Sequence, residues 1–321
     1  MSEILLSNEV LIYLFGESIL YLFAIIAFIG ALHLLLRWDF SSTSEAQYRL
    51  EKRAYLITLI ILFILALKIL LLPYFAYTID ALSALVPGAM CAAGVIGAND
   101  YGYPLLFAKI FLIFSIGIWM IVNRLDVQAI DYPYFRSKYL LYLLLFLLMS
   151  MEYGLDLLYF SHISTKEPVQ CCSVVFGASG SNVIPLGLTP TMLLAVFYLI
   201  YLLNLIFAWQ KNPWLLALGG IAFFYFAFEA VVHIFGTYIY ELPTHKCPFC
   251  MLQGAYYYVG YLLWALLFAG VFFSIANAPL RLLIHRELSS LYRLSRIFNT
   301  LFVILVTLYP LVYYIRNGVW L

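Results

Sequence analysis

The sequence predicts an all-α integral membrane protein with about eight transmembrane helices, on three observations. Of its 321 residues, 65% are hydrophobic and 10% charged, where a soluble domain is about half apolar and about a quarter charged. Its mean hydropathy is +0.99, more apolar surface than a water-soluble globule can bury. Apolar runs recur along the chain, each long enough for the roughly 20 residues with which a helix crosses the hydrocarbon. Strand-type alternation is absent, which excludes a β-barrel.

The spans are expected near residues 10–36, 54–79, 105–123, 139–160, 191–209, 214–239, 256–276 and 297–315, in a single transmembrane domain over 1–321. The start, MSEILLSNEV, has acids where a cleavable signal has bases. Orientation follows from the short loops. Arg37, Arg49, Lys52, Arg53, Arg124, Arg136, Lys138, Lys211, Arg281, Arg286, Arg293 and Arg296 fall on one side, twelve bases against three (Lys166, Lys246, Arg316) on the other. Lys and Arg mark the cytoplasmic face. Both termini are therefore expected outside, on the periplasmic side of a bacterial inner membrane. Trp209 and Trp214 at the inner turn, and Tyr101, Tyr103, Tyr238, Tyr240 and Tyr256 to Tyr258 at outer ends, fit interfacial belts. Residues 280–297 read equally as an interfacial amphipathic helix or as extensions of the neighbouring spans.

Three outer loops resemble one another: Cys91 with Gly97-Ala98, Cys171 with Gly177-Ala178, and Cys247 with Gly254-Ala255. Each has cysteine, an apolar pair, then Gly-Ala. In the second and third, an acid with an ionisable partner four residues on precedes the loop: Glu152 with Asp156, and Glu229 with His233. We read these as three helix–outer loop–helix repeats, over 54–123, 139–209 and 214–276, with flanking helices.

All five cysteines, Cys91, Cys171, Cys172, Cys247 and Cys250, fall in outer loops, where an oxidising compartment lets disulfides persist. Cys247-Pro-Phe-Cys250 has the spacing of a dithiol redox centre; at the mouth of span seven a helix N-terminus, with His245 and Lys246 beside it, would favour a thiolate. The same spacing serves as half a metal site, with His245 as a further ligand and copper or zinc as the ion, or as a structural bridge. Cys171-Cys172 closes on itself only through a strained ring, so either can pair elsewhere, for example with Cys91.

A Cys-x-x-Cys at the outer mouth of a membrane helix, with further cysteines in outer loops, resembles the membrane thiol oxidases of the DsbB and vitamin K epoxide reductase types. The resemblance covers about twenty residues. It implies that Cys247 and Cys250 form a quinone-proximal dithiol, that Cys91 with Cys171 or Cys172 forms a shuttle pair, and that the partner is a periplasmic thioredoxin-like protein.

Ionisable groups inside the hydrocarbon are costly and point to function. Glu229 and His233, and Glu152 and Asp156, share helix faces by their four-residue spacing. Glu152 and Asp156 are too close for both to ionise readily. Glu17, Lys68 and Lys109 join them as candidates. Such groups can deliver protons to a reduced quinone, coordinate a cation, or form structural ion pairs. Two histidines at one depth are lacking, so haem is not expected. The net charge of +1 implies no nucleic-acid partner. Three function classes stand: a quinone-linked thiol–disulfide oxidoreductase, a soft-metal or sulfur-species binder or transporter, and a non-catalytic subunit of a larger membrane complex.

Overall fold

The computed structural model describes residues 3–40, 42, 44–129, 131–170 and 184–321. Among them the chain is helical and without strands. Eight helices are long and apolar enough to cross a membrane: α1 Asn8–Arg37, α2 Glu45–Leu82, α3 Gly102–Gln128, α4 Phe135–Ser161, α5 Pro190–Trp209, α6 Pro213–Tyr240, α7 Val259–Ile284 and α8 Ser289–Asn317. The protein is a multi-pass membrane protein. On α1, Tyr13, Leu20, Ala24, Ala27 and Ala31 are buried, whereas Phe15, Leu22, Ile26 and Ile29 lie exposed. Exposed apolar rows of this length would be a liability in water and are the solvated face in lipid.

The helix ends follow local chemistry. Ser44 accepts a hydrogen bond from the Gln47 amide and starts α2 in a polar first turn, nine residues before its apolar run. Thr189 caps α5 and Asn212 caps α6, each followed by proline at the first helical position. Residues 280–284 finish α7, His285 turns the chain at φ 55°, and 289–297 open α8, so this segment extends both neighbours.

The chain divides into two compact units. The first, Met1–Leu85 with Ile96–Glu167, holds α1 to α4; the second, Val86–Val95 with Pro168–Leu321, holds α5 to α8. The division at Glu167 falls inside the 139–209 segment. In each unit, successive helices pack together and the first also meets the last, closing a ring of four.

The first unit packs Ala24, Ala27 and Ala31 of α1 against Ile61, Ile64, Trp119 and Tyr142. Small residues let the backbones approach, and the Tyr142 hydroxyl reaches the Ala24 carbonyl at 3.1 Å. The second unit is joined by small and polar contacts. Asn204 of α5 donates to the Gly219 carbonyl of α6 at 2.9 Å. Ser274 of α7 meets Ser295 of α8 at 2.8 Å, and Asn299 donates to Ser274 at 3.2 Å.

Gly270 sits where α7 and α8 touch. A Cβ there would lie 2.1 Å from Asn299 Oδ1 and 2.9 Å from its backbone nitrogen. Gly270→Ala is therefore expected to destabilise the protein by about 1–3 kcal/mol, although alanine is the better helix former. Gly154→Ala, with nothing within 4 Å of its added Cβ, is the control and should be neutral or stabilising. Unfolding in mixed detergent compares the two.

Candidate functional site

The Cys247–Cys250 loop is held from several directions. The Tyr240 hydroxyl, at the end of α6, donates to the Cys247 carbonyl and accepts from the Met251 amide at 3.0 Å, tying both ends of the loop to one atom. Tyr240 in turn packs on His245 and Tyr256, with ring centroids 4.4 and 4.7 Å apart. Trp264 donates its indole N–H to the Pro248 carbonyl at 3.3 Å. Gly260, in the first turn of α7, lies so close that a Cβ would come within 2.6 Å of Met251 Cγ. Burial and the adjoining Cys250 both push the Tyr256 hydroxyl above its ordinary value.

The loop does not sit on a helix mouth. Cys250 opens a single 3-10 turn, Cys250–Leu252; a second turn and two left-handed tyrosines, Tyr257 and Tyr258, follow before α7 begins at Val259. The helix-dipole activation expected for Cys247 is therefore not provided by α7.

Cys91 comes from the loop after α2 and precedes the short helix Ala92–Ile96. Gly88 turns this loop at φ +80°, where a Cβ would strike the Val169 carbonyl at 2.6 Å. The Val169 amide donates to the Pro87 carbonyl at 2.9 Å, and Gln253 reaches the Met90 carbonyl at 3.5 Å. The loop thereby meets the Cys250 turn.

These contacts bring three sulfurs together. Cys91 Sγ is 3.5 Å from Cys247 Sγ, beyond the ~2.05 Å of a disulfide. With Cys250 they form a group in which no two ligand atoms are more than 4.8 Å apart, and all three residues are buried. With one side of 3.5 Å and none above 4.8 Å, the sulfurs make a triangle; a row would need a separation shorter than a sulfur–sulfur bond. His245 is not in this group. Its ring lies on Tyr240, and its Nε2 is buried without a hydrogen-bond partner among the described residues. Cys171 and Cys172 lie outside the described residues.

Tyr240→Phe removes the atom that ties the loop. It leaves the Cys247 carbonyl and the Met251 amide without this partner, at about 1–3 kcal/mol each if nothing replaces it. We expect unfolding to begin in this loop, read as loss of hydrogen-exchange protection at Met251 while α1–α4 keep theirs.

The ionisable candidates fall in two places. In the second unit, His233 Nε2 lies 3.3 Å from Glu229 on α6, within a π-helical turn, Val231–Phe235. Such turns insert one residue and often mark functional positions. In the first unit, Glu152 and Asp156 of α4 do not stand alone as a repelling pair. Lys68 of α2 lies between Glu17 and Glu152, bonding Glu152 at 2.5 Å. Lys109 of α3 bonds Glu152, and Asp156 at 2.8 Å. Sequence reasoning missed Tyr13, whose hydroxyl lies 3.1 Å from both Glu17 and Asp156 and accepts from Lys109 at 2.5 Å. Its signal was its position four residues before Glu17. Also unforeseen is a buried ion pair between Lys138 and Asp126 at 2.7 Å, at the opposite end of α3 and α4.

No protein-family model matches the chain, and comparison with curated proteins and with solved structures finds no match either.

Proposed function

We propose that this membrane protein binds a soft metal ion, copper(I) or zinc, through the thiolates of Cys91, Cys247 and Cys250. The observation that carries the reading is the sulfur triangle. Zinc–thiolate bonds of about 2.3 Å in tetrahedral geometry put sulfurs about 3.8 Å apart. That spacing falls between the 3.5 Å and 4.8 Å of this cluster. Three thiolates this close and this buried repel one another, and a cation among them offsets the cost of their charge. Thiolate ligands select copper(I) and zinc over harder ions. The charge asymmetry of the loops supports a site on the non-cytoplasmic face, the periplasm in a bacterium. His245, half-buried against Tyr240 with its Nε2 unpartnered among the described residues, is the nitrogen ligand this reading would add.

A second reading draws on the 3.5 Å between Cys91 and Cys247. In a thiol–disulfide oxidoreductase, a Cys247–Cys250 dithiol would lose two electrons and two protons to a quinone, forming the disulfide and a quinol. Cys91 would then exchange with it by thiolate attack. Attack runs along the breaking sulfur–sulfur bond, so a triangle requires one side chain to rotate first.

The test is protein purified under reducing conditions and assayed for metal. The metal reading expects about one equivalent of copper(I) or zinc retained against dialysis, and none in the Cys247→Ser/Cys250→Ser double variant. Metal-free protein whose Cys247 and Cys250 change oxidation state when quinone is added would instead support the second reading.

A further inference from the structure

Five charged side chains and one tyrosine close a ring in the first unit. It runs Glu17, Lys68, Glu152, Lys109, Asp156, Tyr13 and back to Glu17, with every member buried. Two lysines among three carboxylates leave one negative charge in excess when all are ionised. A net charge there is held away from water, where it is costly.

The hydrogens can be counted separately. Lys109 spends its three N–H groups on Tyr13, Glu152 and Asp156. Lys68 spends two, on Glu17 and Glu152. Tyr13 has a single O–H but stands between two acceptors, Glu17 Oε1 and Asp156, each at 3.1 Å. One of these two links therefore has no hydrogen. A proton on either carboxyl supplies it: that carboxyl donates to the Tyr13 oxygen, which accepts from Lys109 and donates onward. The missing charge and the missing hydrogen are both one proton, at one place.

A cavity of about 10 Å³, room for one water, adjoins the ring and is lined by Tyr13, Glu17, Lys68, Lys109 and Glu152 among others. Asp156 does not line it, and its side chain is fully buried. The two ends of the Tyr13 bridge thus differ, one facing the cavity and one closed. Tyr159, one turn beyond Asp156 on α4, is buried as well.

We infer that this ring is a proton-binding site of the membrane domain, holding one proton between Glu17 and Asp156 and passing it through the Tyr13 hydroxyl. The transfer is balanced and moves no electrons. The Glu17 O–H bond breaks as its proton joins the Tyr13 oxygen, and the Tyr13 O–H bond breaks as its proton joins Asp156. The lysines remain ammonium throughout: they bind both Glu152 oxygens, Glu17 Oε2 and Asp156 Oδ2, while Glu17 Oε1 and Asp156 Oδ1 face the Tyr13 hydroxyl. This inference is independent of the sulfur site.

Infrared spectroscopy of the full-length protein in lipid nanodiscs tests it. At neutral pH we expect the carbonyl band of one protonated carboxylic acid, shifted by deuterium oxide. Asp156→Asn and Glu17→Gln each mimic the protonated group and keep its shape; each should remove the band. Tyr13→Phe should keep the band but slow its hydrogen–deuterium exchange by about tenfold or more, a barrier increase of about 1.4 kcal/mol. No protonated-acid band in folded wild-type protein, or a band that survives both carboxyl variants, would overturn the site. Unchanged exchange in Tyr13→Phe would overturn the relay.

Discussion

Lys109→Met is expected to destabilise the protein by about 3–5 kcal/mol, the cost of removing one partner from a buried ion pair. The lysine is 4% exposed and binds Glu152, Asp156 at 2.8 Å and Tyr13 at 2.5 Å. It also lies 4.6 Å from the centre of the Phe75 ring, a cation–π contact that methionine cannot make. Methionine fills the same volume, so the loss is electrostatic. It leaves three carboxylates facing one ammonium, and two protons must then enter to neutralise them. Adding Asp156→Asn removes one of those carboxylates and should recover a large part of the loss, because deleting both partners is far milder than deleting one. Lys166→Met, on an exposed loop, should change stability by no more than about 0.5 kcal/mol. Equilibrium unfolding in mixed detergent measures all three. A Lys109→Met protein as stable as Lys166→Met would mean that the ring contributes nothing.

Cys91→Ser is expected to weaken metal affinity by more than the 10–100-fold that changes to groups behind the ligands cost. Cys91 lies 156 residues from Cys247 in sequence and belongs to a loop after a different helix, yet its sulfur is 3.5 Å away. Serine is nearly isosteric but replaces a soft thiolate by a neutral hydroxyl. The variant also separates the two functional readings. A metal site built on three sulfurs fails without Cys91. A Cys247–Cys250 dithiol still closes its own disulfide without it, and loses only its exchange with Cys91. Competition with a copper(I) or zinc chelator, alongside thiol counting after oxidation, reads both quantities on one preparation.

The eight helices were legible because lipid leaves so few choices: each span must be long, apolar and internally hydrogen-bonded. The caps Thr189-Pro190 and Asn212-Pro213 are local chemistry that the placement of spans by hydropathy did not use. The polar opening of α2 from Glu45 was not, because residues outside the hydrocarbon carry no hydropathy signal. The Cys247–Cys250 loop was expected on a helix mouth, with span seven beginning near 256 and Tyr256 to Tyr258 at its outer end. Two of those tyrosines instead adopt left-handed conformations that delay α7 to Val259.

The sites were legible as residues but not as partners. Glu152 and Asp156 stood out by their four-residue spacing, and Glu17, Lys68 and Lys109 by their depth. Which carboxylate meets which lysine depends on the rotation and height of four helices, which no single segment encodes. Tyr13 and Tyr240 each bridge several groups of their sites; among 27 tyrosines Tyr13 drew no notice, and Tyr240 was read only as part of the interfacial belt. Cys91, Cys247 and Cys250 were grouped by location alone; their triangle depends on the turn at Gly88 and the clamp at Tyr240.

X-ray absorption at the metal edge of the wild-type protein, loaded with copper(I) or zinc under reducing conditions, tests the central claim most directly. The account predicts a first shell dominated by three sulfurs at about 2.3 Å, collapsing in Cys91→Ser. A shell of nitrogen and oxygen alone, or the same spectrum with and without Cys91, would contradict it.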